Sequence, residues 1–425
     1  MKVLVVGSGG REHALAWKLS RSAKVTKLYC APGNGGTRLV AENVPIPDSD
    51  IERLSDFALQ TGIDLTVVGP ETPLSLGIVD EFEKHGLRVF GPSRKAAELE
   101  ASKVFAKQFM ERHKIPTGRF RVAETADKAR AILRSGEFGW PVVLKADGLA
   151  AGKGVVVAKT PEEAEEAVRI IMEERQFGEA GRRLLIEEFL RGQEVSFIVI
   201  ADGAQVLPLV TTMDHKAAFD GGEGPNTGGM GTISPSPAMT KKLFGEVMSG
   251  IVLPTVIRMR EEGRTYKGAL YCGLMLTEAG PMVLEYNCRF GDPETQPQML
   301  RLESDLVDVL MAAVNGNVLE NEVVWSEKAA GCVILASGGY PGPYAKGHVI
   351  KGLEAAAEIP GVVVFHAGTK FEDGEYTTTG GRVCGVCSAD STLAEAMGRI
   401  YRAVGAIHFE GMHYRHDIGA ARGGL

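Results

Sequence analysis

The chain has 425 residues, of which 44% are hydrophobic and 24% are charged, as expected for a soluble globular protein with more than one core. Its formal net charge of −7 argues against general binding to nucleic acid or to a membrane surface, but allows local basic pockets for phosphorylated metabolites. No apolar run approaches the roughly 18 residues of a membrane span, so we interpret the short apolar start as the first strand of a cytoplasmic protein.

The first 90 residues alternate between strand-like and helix-like patterns. Strands are predicted at 2–6, 27–30, 65–68 and 87–90, and a helix at 11–19. This alternation predicts a parallel doubly wound sheet, in which ligands bind at the carboxyl ends of the strands. Glycine-rich, polar turns follow three of these strands.

The turn after the first strand, Gly7-Ser-Gly-Gly-Arg11, contains the Gly-x-Gly that begins a dinucleotide-binding fingerprint. The match is poor, because Glu12 stands at the third glycine position and the second strand does not end in an acidic residue for a ribose. A small phosphate at the helix N-terminus, with Arg11 alongside, fits the turn better than NAD.

Residues 96–114 predict one helix that carries Lys103, and about 75 residues of mixed α and β structure follow. Within them, a hairpin predicted at 142–157 has Lys145 at the end of its first strand and Lys153 between two glycines. Such a loop suits covering a polyphosphate, because glycines let the backbone approach and lysines supply charge. The alternative is an ordinary hairpin with solvent-facing lysines.

An apolar strand at 184–190 runs into a short connection that ends at Glu194. The backbone groups of such a connection could hold a purine base, and Glu194 could hold ribose hydroxyls. Further on, the glycine-rich segment 213–231 excludes a helix or a central strand and predicts a long loop that is functional rather than a disordered linker.

Glu285 and Asn287 lie two residues apart on a strand predicted at 281–286, so their side chains project to the same face. Carboxylate and amide oxygens are ligands that Mg²⁺ accepts while leaving positions for phosphates and water. Arg289 has the same parity and could clamp an anion. An ion pair between Glu285 and Arg289 is the equally open alternative.

A tail domain is predicted at about 325–425, with strands at 331–336, 362–369, 376–379 and 381–388 and a helix at 393–404. Cys384 and Cys387 form a Cys-x-x-Cys inside an apolar run. Without further ligands nearby, we interpret them as two small buried residues and not as a metal or redox pair.

These motifs together resemble one family, that of the phosphoribosylamine–glycine ligases in the ATP-grasp superfamily. The resemblance covers essentially the whole chain. It rests on Gly9-Gly-Arg-Glu-His13, Ala31-Pro-Gly-Asn34, Val68-Gly-Pro-Glu71, Lys145-Ala-Asp-Gly-Leu-Ala-Ala-Gly-Lys-Gly154, Gly224-Pro-Asn-Thr-Gly-Gly-Met-Gly231, Glu285-Tyr-Asn-Cys-Arg-Phe-Gly-Asp-Pro-Glu-Thr-Gln296 and Arg415-His-Asp-Ile-Gly419.

The resemblance implies a multidomain protein of α/β and α+β class. It implies a Rossmann-like N-terminal domain at 1–100, an ATP-grasp body at 101–325 with a small mobile lid at about 118–190, and a C-terminal α+β domain at 326–425. It also implies a monomer or weak dimer with small-molecule substrates, and neither nucleic acid nor membrane as a partner.

The resemblance further implies a reaction of purine biosynthesis. ATP, glycine and 5-phospho-β-D-ribosylamine would give glycinamide ribonucleotide, ADP and phosphate through glycyl phosphate. The implied ATP-binding residues are Lys103, Lys145, Gly152, Lys153, Gly154, Glu187, Phe189, Leu190 and Glu194. The implied substrate-binding residues are Gly9, Gly10, Arg11, Glu71, Asp214, Lys216, Asn226, Gly228, Gly229 and Arg289. Arg289, Asn226 and Lys145 would be catalytic, and Glu285 and Asn287 would bind Mg²⁺ or Mn²⁺.

Three positions depart from the family pattern. Ala217 follows Lys216 where an arginine is usual, and Gly222 stands where an acidic residue is more common. Many ATP-grasp relatives also carry a glutamate on the strand before Glu285, where this chain has Gly273 and its neighbours. The rival interpretations are another ATP-grasp ligase or carboxylase, an NAD-dependent oxidoreductase and a non-catalytic nucleotide sensor.

Overall fold

The computed structural model describes residues 1–149, 154–320 and 322–420. The chain begins with a five-stranded parallel sheet of order β3-β2-β1-β4-β5, which confirms the predicted doubly wound arrangement. Its strands are β1 (Lys2–Gly7), β2 (Lys27–Pro32), β3 (Glu42–Asn43), β4 (Leu65–Val68) and β5 (Val89–Phe90). The helices between them are α1 (Gly10–Leu19), α2 (Ile51–Thr61), α3 (Glu71–Leu76) and α4 (Ile78–Lys84).

The single helix predicted at 96–114 is wrong, because two helices, α5 (Arg94–Ala101) and α6 (Lys103–Arg112), form there. Ser102 separates them in an extended conformation and caps the second helix by accepting a hydrogen bond from the Phe105 N–H (3.0 Å). A serine that bonds to the backbone in this way favours a helix start over a helix interior. Lys103 therefore becomes the first residue of α6.

A small antiparallel sheet of order β6-β9-β7-β8 covers the region of the predicted lid. It contains β6 (Phe120–Ala123), β7 (Val142–Ala146), β8 (Val155–Ala158) and β9 (Leu184–Glu188), with helices α7 (Ala126–Arg134) and α8 (Pro161–Val168). The predicted hairpin is confirmed, since β7 and β8 pair antiparallel. A separate apolar cluster, which includes Leu144, Val168 and Ile186, gives this unit its own core.

The middle of the chain builds a second antiparallel sheet, of order β11-β10-β16-β17. The strands of this region are β10 (Gln193–Asp202), β11 (Val206–Pro208), β12 (Met213–Asp214), β13 (Ala217–Phe219), β14 (Glu223–Asn226), β15 (Gly231–Ser234), β16 (Lys267–Thr277) and β17 (Gly280–Asn287). The segment predicted as a long loop thus contains short strands, and β13 and β14 pair as an isolated ribbon. Apart from a short 3-10 helix at Asp220–Gly222, its exposed residues form neither a helix nor a central strand.

Four helices accompany this sheet: α9 (Lys241–Val247), α10 (Leu253–Glu261), α11 (Thr295–Arg301) and α12 (Leu306–Asn315). A π-helical turn at 248–252 lies between α9 and α10. The short helix α11 was not predicted. Its central residues Gln296 and Gln298 are polar although fully buried. The sequence therefore lacks the apolar stripe by which a helix is recognised.

The last sheet joins strands that are distant in sequence, in the order β12-β15-β18-β22-β19. Its C-terminal elements are β18 (Ala329–Ala336), α13 (Leu353–Ala357), β19 (Val362–His366), β20 (Thr369–Glu372), β21 (Glu375–Thr378), β22 (Arg382–Asp390) and α14 (Leu393–Val404). Cys384 and Cys387 are buried in β22, as predicted. Among the described residues, no helix has the length and apolar character needed to cross a bilayer.

The start of α1 is joined to the C-terminal sheet through buried polar contacts. The backbone N–H of His366 donates to Nδ1 of His13 (2.8 Å). The Asn34 side-chain amide donates to the carbonyls of Ser8 and His366, both at 2.8 Å. Burial lowers the pKa of His13 to about 3 and that of His366 to about 4, so both rings are neutral at physiological pH.

This junction predicts an acid-sensitive fold. A histidine whose pKa is lower in the folded chain stabilises it above pH 6.5, and that stability is lost as the pH falls towards 3. At pH 5 the loss is about 2 kcal/mol for one such histidine. In urea titrations, the stability advantage of the wild type over His13→Asn should therefore shrink by that amount between pH 7.5 and pH 5. The exposed His85→Asn is the control; an equal shrinkage there would contradict the assignment.

Candidate active site

The site lies where three parts of the fold meet: the carboxyl edge of the parallel sheet, the end of β17 and the glycine-rich segment 226–229. Arg289 marks the meeting point. Its guanidinium pairs with Glu71 at the start of α3 (3.2 Å) and with Glu100 at the end of α5 (3.3 Å). It also donates to Oδ1 of Asn287 (3.1 Å).

Glu285 has a different partner, so the alternative of a Glu285–Arg289 ion pair is not realised among the described residues. Lys216 lies 3.5 Å from the Glu285 carboxylate and 3.4 Å from that of Glu194. Burial alone would raise the pKa of Glu285, but Lys216, Lys145 and further cations outweigh it and lower the pKa to about 2. Glu285 is therefore ionised at neutral pH.

These residues suit a divalent cation. The Glu285 carboxylate and the Asn287 amide oxygen stand on one face at the end of β17, and both are hard oxygen donors. No group of three or more His, Cys, Asp or Glu side chains within metal reach occurs in the described ranges. Gly273 pairs with Glu285 across the strands, so no acidic side chain faces it there. The protein would thus supply few ligands and leave the other positions to phosphate oxygens and water.

A buried charge network lies behind this face. Glu187, on β9, contacts Lys107 at 2.9 Å and Lys145 at 3.1 Å, and all three side chains are almost fully buried. Lys145 also donates to the Leu284 carbonyl (3.2 Å). The side chain of Glu187 therefore positions Lys145, a role that the sequence did not reveal. Lys107 was missed entirely, since it lies among the buried residues of α6 with no motif around it.

Lys103 stands at the base of the loop between β7 and β8, where it donates to the Gly148 carbonyl (2.8 Å). The neighbouring Asp147 holds this base by accepting from Ser102 Oγ (2.9 Å) and from the Val104 N–H (3.0 Å). The tip of the loop, with the predicted residues Gly152 and Lys153, lies outside the described residues. Gly154, where the description resumes, accepts a hydrogen bond from Ala146 N–H (2.8 Å).

The predicted base-binding connection lies between β9 and β10, and its Phe189 side chain is 37% exposed. Leu190 is half-buried and Glu194 is exposed at the start of β10. The side chain of Glu187 points into the lysine network, so only its backbone could contact a base. The adenine and ribose roles of this connection remain predictions.

The glycine-rich segment approaches Asp214. A Cβ atom on Gly229, whose φ is +112°, would lie 2.7 Å from Oδ1 of Asp214. Burial and the nearby Glu294 raise the pKa of Asp214 well above its usual range. Asn226, at the end of β14, is exposed. The segment thus needs glycine to bring its backbone beside a carboxyl group.

A buried polar cluster at Glu294 was not recognised in the sequence. Ser196 Oγ donates to Oε1 of Glu294 (2.9 Å) and lies 2.9 Å from the Tyr271 hydroxyl. Together with Asp214 and Lys216, Ser196 and Tyr271 line a small cavity. The Gly-Asp-Pro-Glu run that contains Glu294 could have indicated this cluster. However, its partners Ser196 and Tyr271 lie on strands that are distant from Glu294 in the sequence.

The polar groups of the N-terminal turn are already hydrogen-bonded to other protein groups. The Gly9 N–H donates to Oε2 of Glu12 (2.6 Å), and Arg11 pairs with Glu12 and donates to the Phe290 carbonyl (3.0 Å). Burial raises the pKa of Glu12 despite Arg11. A phosphate at Gly9 to Arg11 would have to compete with this carboxyl group, so the predicted phosphate role of the turn stays a prediction.

The parallel sheet, the small covering sheet and the cation-lined end of β17 define an ATP-grasp enzyme. Three family models match the chain: the N domain of phosphoribosylglycinamide synthetase at residues 1–100, its ATP-grasp (A) domain at 101–295 and its C domain at 330–421. The chain belongs to the phosphoribosylglycinamide synthetase family. It is therefore a ligase that uses ATP.

Individual relatives agree with this assignment. The chain is 52% identical to phosphoribosylamine–glycine ligase of Escherichia coli K12 over 423 residues, which covers 99% of this chain and 98% of the relative. It is 50% identical to the ligase of the same name from Caldanaerobacter subterraneus, over 99% of this chain and 100% of the relative.

Solved structures show the same architecture. The crystal structure of phosphoribosylamine–glycine ligase from Thermotoga maritima matches with a TM-score of 0.83 and 34% identity, over 98% of this chain and 100% of that one. A biotin carboxylase from Campylobacter jejuni matches with a TM-score of 0.76 but only 15% identity, over 97% and 92% of the two chains, and so shows the fold alone.

The pairing of Gly273 with Glu285 predicts a steric effect on the site. A Cβ atom on Gly273 would lie 3.1 Å from Cγ of Glu285, so Gly273→Ala should displace the carboxylate. We expect kcat to fall about tenfold, since small misplacements of reacting groups are costly. Gly398→Ala in α14 is the control, because its Cβ would meet nothing within 4 Å. Equal kcat values for the two variants would contradict the predicted role of Glu285.

Proposed function

We propose that this chain joins the carboxyl group of glycine to the amino group of 5-phospho-β-D-ribosylamine, with conversion of ATP to ADP and phosphate, in purine biosynthesis. The observation that carries the proposal is Glu285. This carboxylate stays ionised at the end of β17 because Lys216, Lys145, Lys103 and Arg289 act on it. Such a concentration of cations around one oxygen donor suits a triphosphate and its metal ion.

The reaction proceeds in two displacements. The glycine carboxylate oxygen attacks the γ-phosphorus of ATP, the bond to the β–γ bridging oxygen breaks, and ADP leaves with glycyl phosphate formed. The ribosylamine nitrogen then attacks the acyl carbon, phosphate departs with the electron pair of the C–O bond, and the nitrogen loses a proton. Activation is needed because an oxide ion is a poor leaving group from a carboxylate, whereas phosphate is a good one.

The residues divide this work by charge. Lys103 and Lys145 would neutralise the phosphates of ATP, and Glu285 with Asn287 would hold Mg²⁺ or Mn²⁺. Such an ion would offset the negative charge of the phosphates. Arg289 and Asn226 lie at the acyl phosphate, where negative charge develops. No side chain acts as a nucleophile, because ATP itself supplies the activation.

The polar groups around the small cavity at Asp214 match the two ends of glycine. Asp214, at the lining, would accept a hydrogen bond from the α-ammonium group, and Lys216 would attract the α-carboxylate. Gly229 packs against Asp214 so closely that a Cβ atom there would collide with the carboxyl group.

The proposal is tested by product formation with each substrate omitted in turn. Phosphate release from ATP should need both glycine and freshly generated phosphoribosylamine, and mass spectrometry should detect glycinamide ribonucleotide. Alanine in place of glycine should give little product. Phosphate release that needs neither substrate, or equal turnover with another acid, would contradict the substrate assignment. The assignment to the ATP-grasp class would still hold.

The role of Glu285 is tested by Glu285→Gln, which keeps the shape of the side chain and removes its charge. We expect kcat to fall about 100-fold or more, because the metal ion would lose its one ionised protein ligand on β17. Glu278→Gln, in the exposed turn of the same hairpin, is the matched control. Near-normal turnover of Glu285→Gln at saturating Mg²⁺ would argue against a metal role.

A further inference from the structure

Arg382, the first residue of β22, extends from the C-terminal sheet into the active-site cleft. One guanidinium nitrogen donates to the carbonyl of Gly228 and to that of Asp292, both at 2.6 Å. Another lies 3.3 Å from the Asp292 carboxylate, and the side chain is only 21% exposed. No recognisable motif surrounds this arginine, so sequence analysis assigned it no role.

Tyr340 binds the backbone N–H of Gly228, the residue whose carbonyl accepts from Arg382. The Gly228 N–H donates to the Tyr340 hydroxyl (3.0 Å), so side chains from the C-terminal region bind both the N–H and the carbonyl of one residue. Its neighbour Gly229 donates to Thr227 Oγ1 (2.9 Å). Gly228 is exposed and without side-chain packing of its own, so these bonds determine where it lies.

Asp292 connects this arrangement to the rest of the site. Its other carboxylate oxygen accepts from the Gln296 amide (2.7 Å), and the carboxylate lies against the Gly9 and Gly10 turn. Asp292 is also three residues from Arg289. Arg382 therefore links the glycine-rich segment to the segment that carries Arg289, and the latter borders the N-terminal turn.

We propose that Arg382, assisted by Tyr340, is a positioning residue that fixes the 226–229 segment over the acyl phosphate and so keeps water from it. This inference rests on the proposed function, because it concerns the fate of glycyl phosphate. An acyl phosphate is consumed either by the ribosylamine nitrogen or by water. A segment held from both backbone groups of Gly228 favours the first route, since orientation of the reactants can contribute several kcal/mol to a barrier.

The test is the ratio of ADP formed to glycinamide ribonucleotide formed, which should be one for the wild type. In Arg382→Ala we expect product formation to fall at least about tenfold and the ratio to rise above two, because a 1 Å misplacement can cost about 100-fold. The KM for ATP should stay within twofold, since the contacts of Arg382 are to Gly228 and Asp292 and not to Lys103, Lys145 or Glu285. Arg382→Lys should restore part of the coupling, and Tyr340→Phe should raise the ratio in the same direction.

The matched control is Arg399→Ala. Arg399 also belongs to the C-terminal domain, is 26% exposed and pairs with Asp390 at the other end of β22, away from the cleft. A similar ratio in Arg382→Ala and Arg399→Ala would overturn the proposal, as would a selective rise in the KM for phosphoribosylamine with the ratio still at one. If Arg382→Ala does not fold, Tyr340→Phe and Arg382→Lys decide by the same ratio. Failure of the wild type to form product would instead remove the proposed function.

Discussion

The arginine between two carboxylates, Arg289, is the contact on which the site depends. Glu71 lies at the start of α3 and Glu100 at the end of α5, a helix that packs against β17, so one guanidinium joins both helices to the end of that strand. The pKa of Glu71 is lowered, with Arg289 and Arg11 outweighing burial. Burial raises the pKa of Glu100 to about 7 in spite of Arg289. Near neutral pH Glu71 is thus the fully ionised partner of the arginine, whereas Glu100 is only partly ionised.

The same logic governs the lysines. Among the described residues, Glu187 is the carboxylate that pairs with both Lys107 and Lys145, and burial lowers the pKa of Lys107 although the glutamate opposes this. Three buried charged groups with one carboxylate among them would be unfavourable without a further anion. We therefore expect the binding of the ATP phosphates beside these lysines to stabilise the site.

The sequence predicted what depends on local pattern. Strands β1, β4 and β17 follow from short apolar runs, and the common face of Glu285 and Asn287 follows from strand parity. Prediction from the sequence failed for contacts between residues that are distant along the chain. Lys107 and Glu187 come together through the packing of α6 against the covering sheet. Arg382 contacts Gly228, which is 154 residues away in the sequence. The break at Ser102 was also missed, because its capping bonds compete with a continuous apolar pattern. The predicted domain limits remain predictions.

Strands β12 and β15 lie at the edge of the C-terminal sheet, although they belong to the middle of the chain. β15 pairs with β18 from Gly231 opposite Val333 to Ser234 opposite Ala330. A fragment cut before β18 would lack this partner and would present a bare strand edge to other molecules, which invites aggregation. Residues 330–421 match a separate family model, but their sheet is completed by β12 and β15 from the middle of the chain. We therefore expect that they do not fold independently. Any fusion or truncation has to carry the 213–234 segment with them.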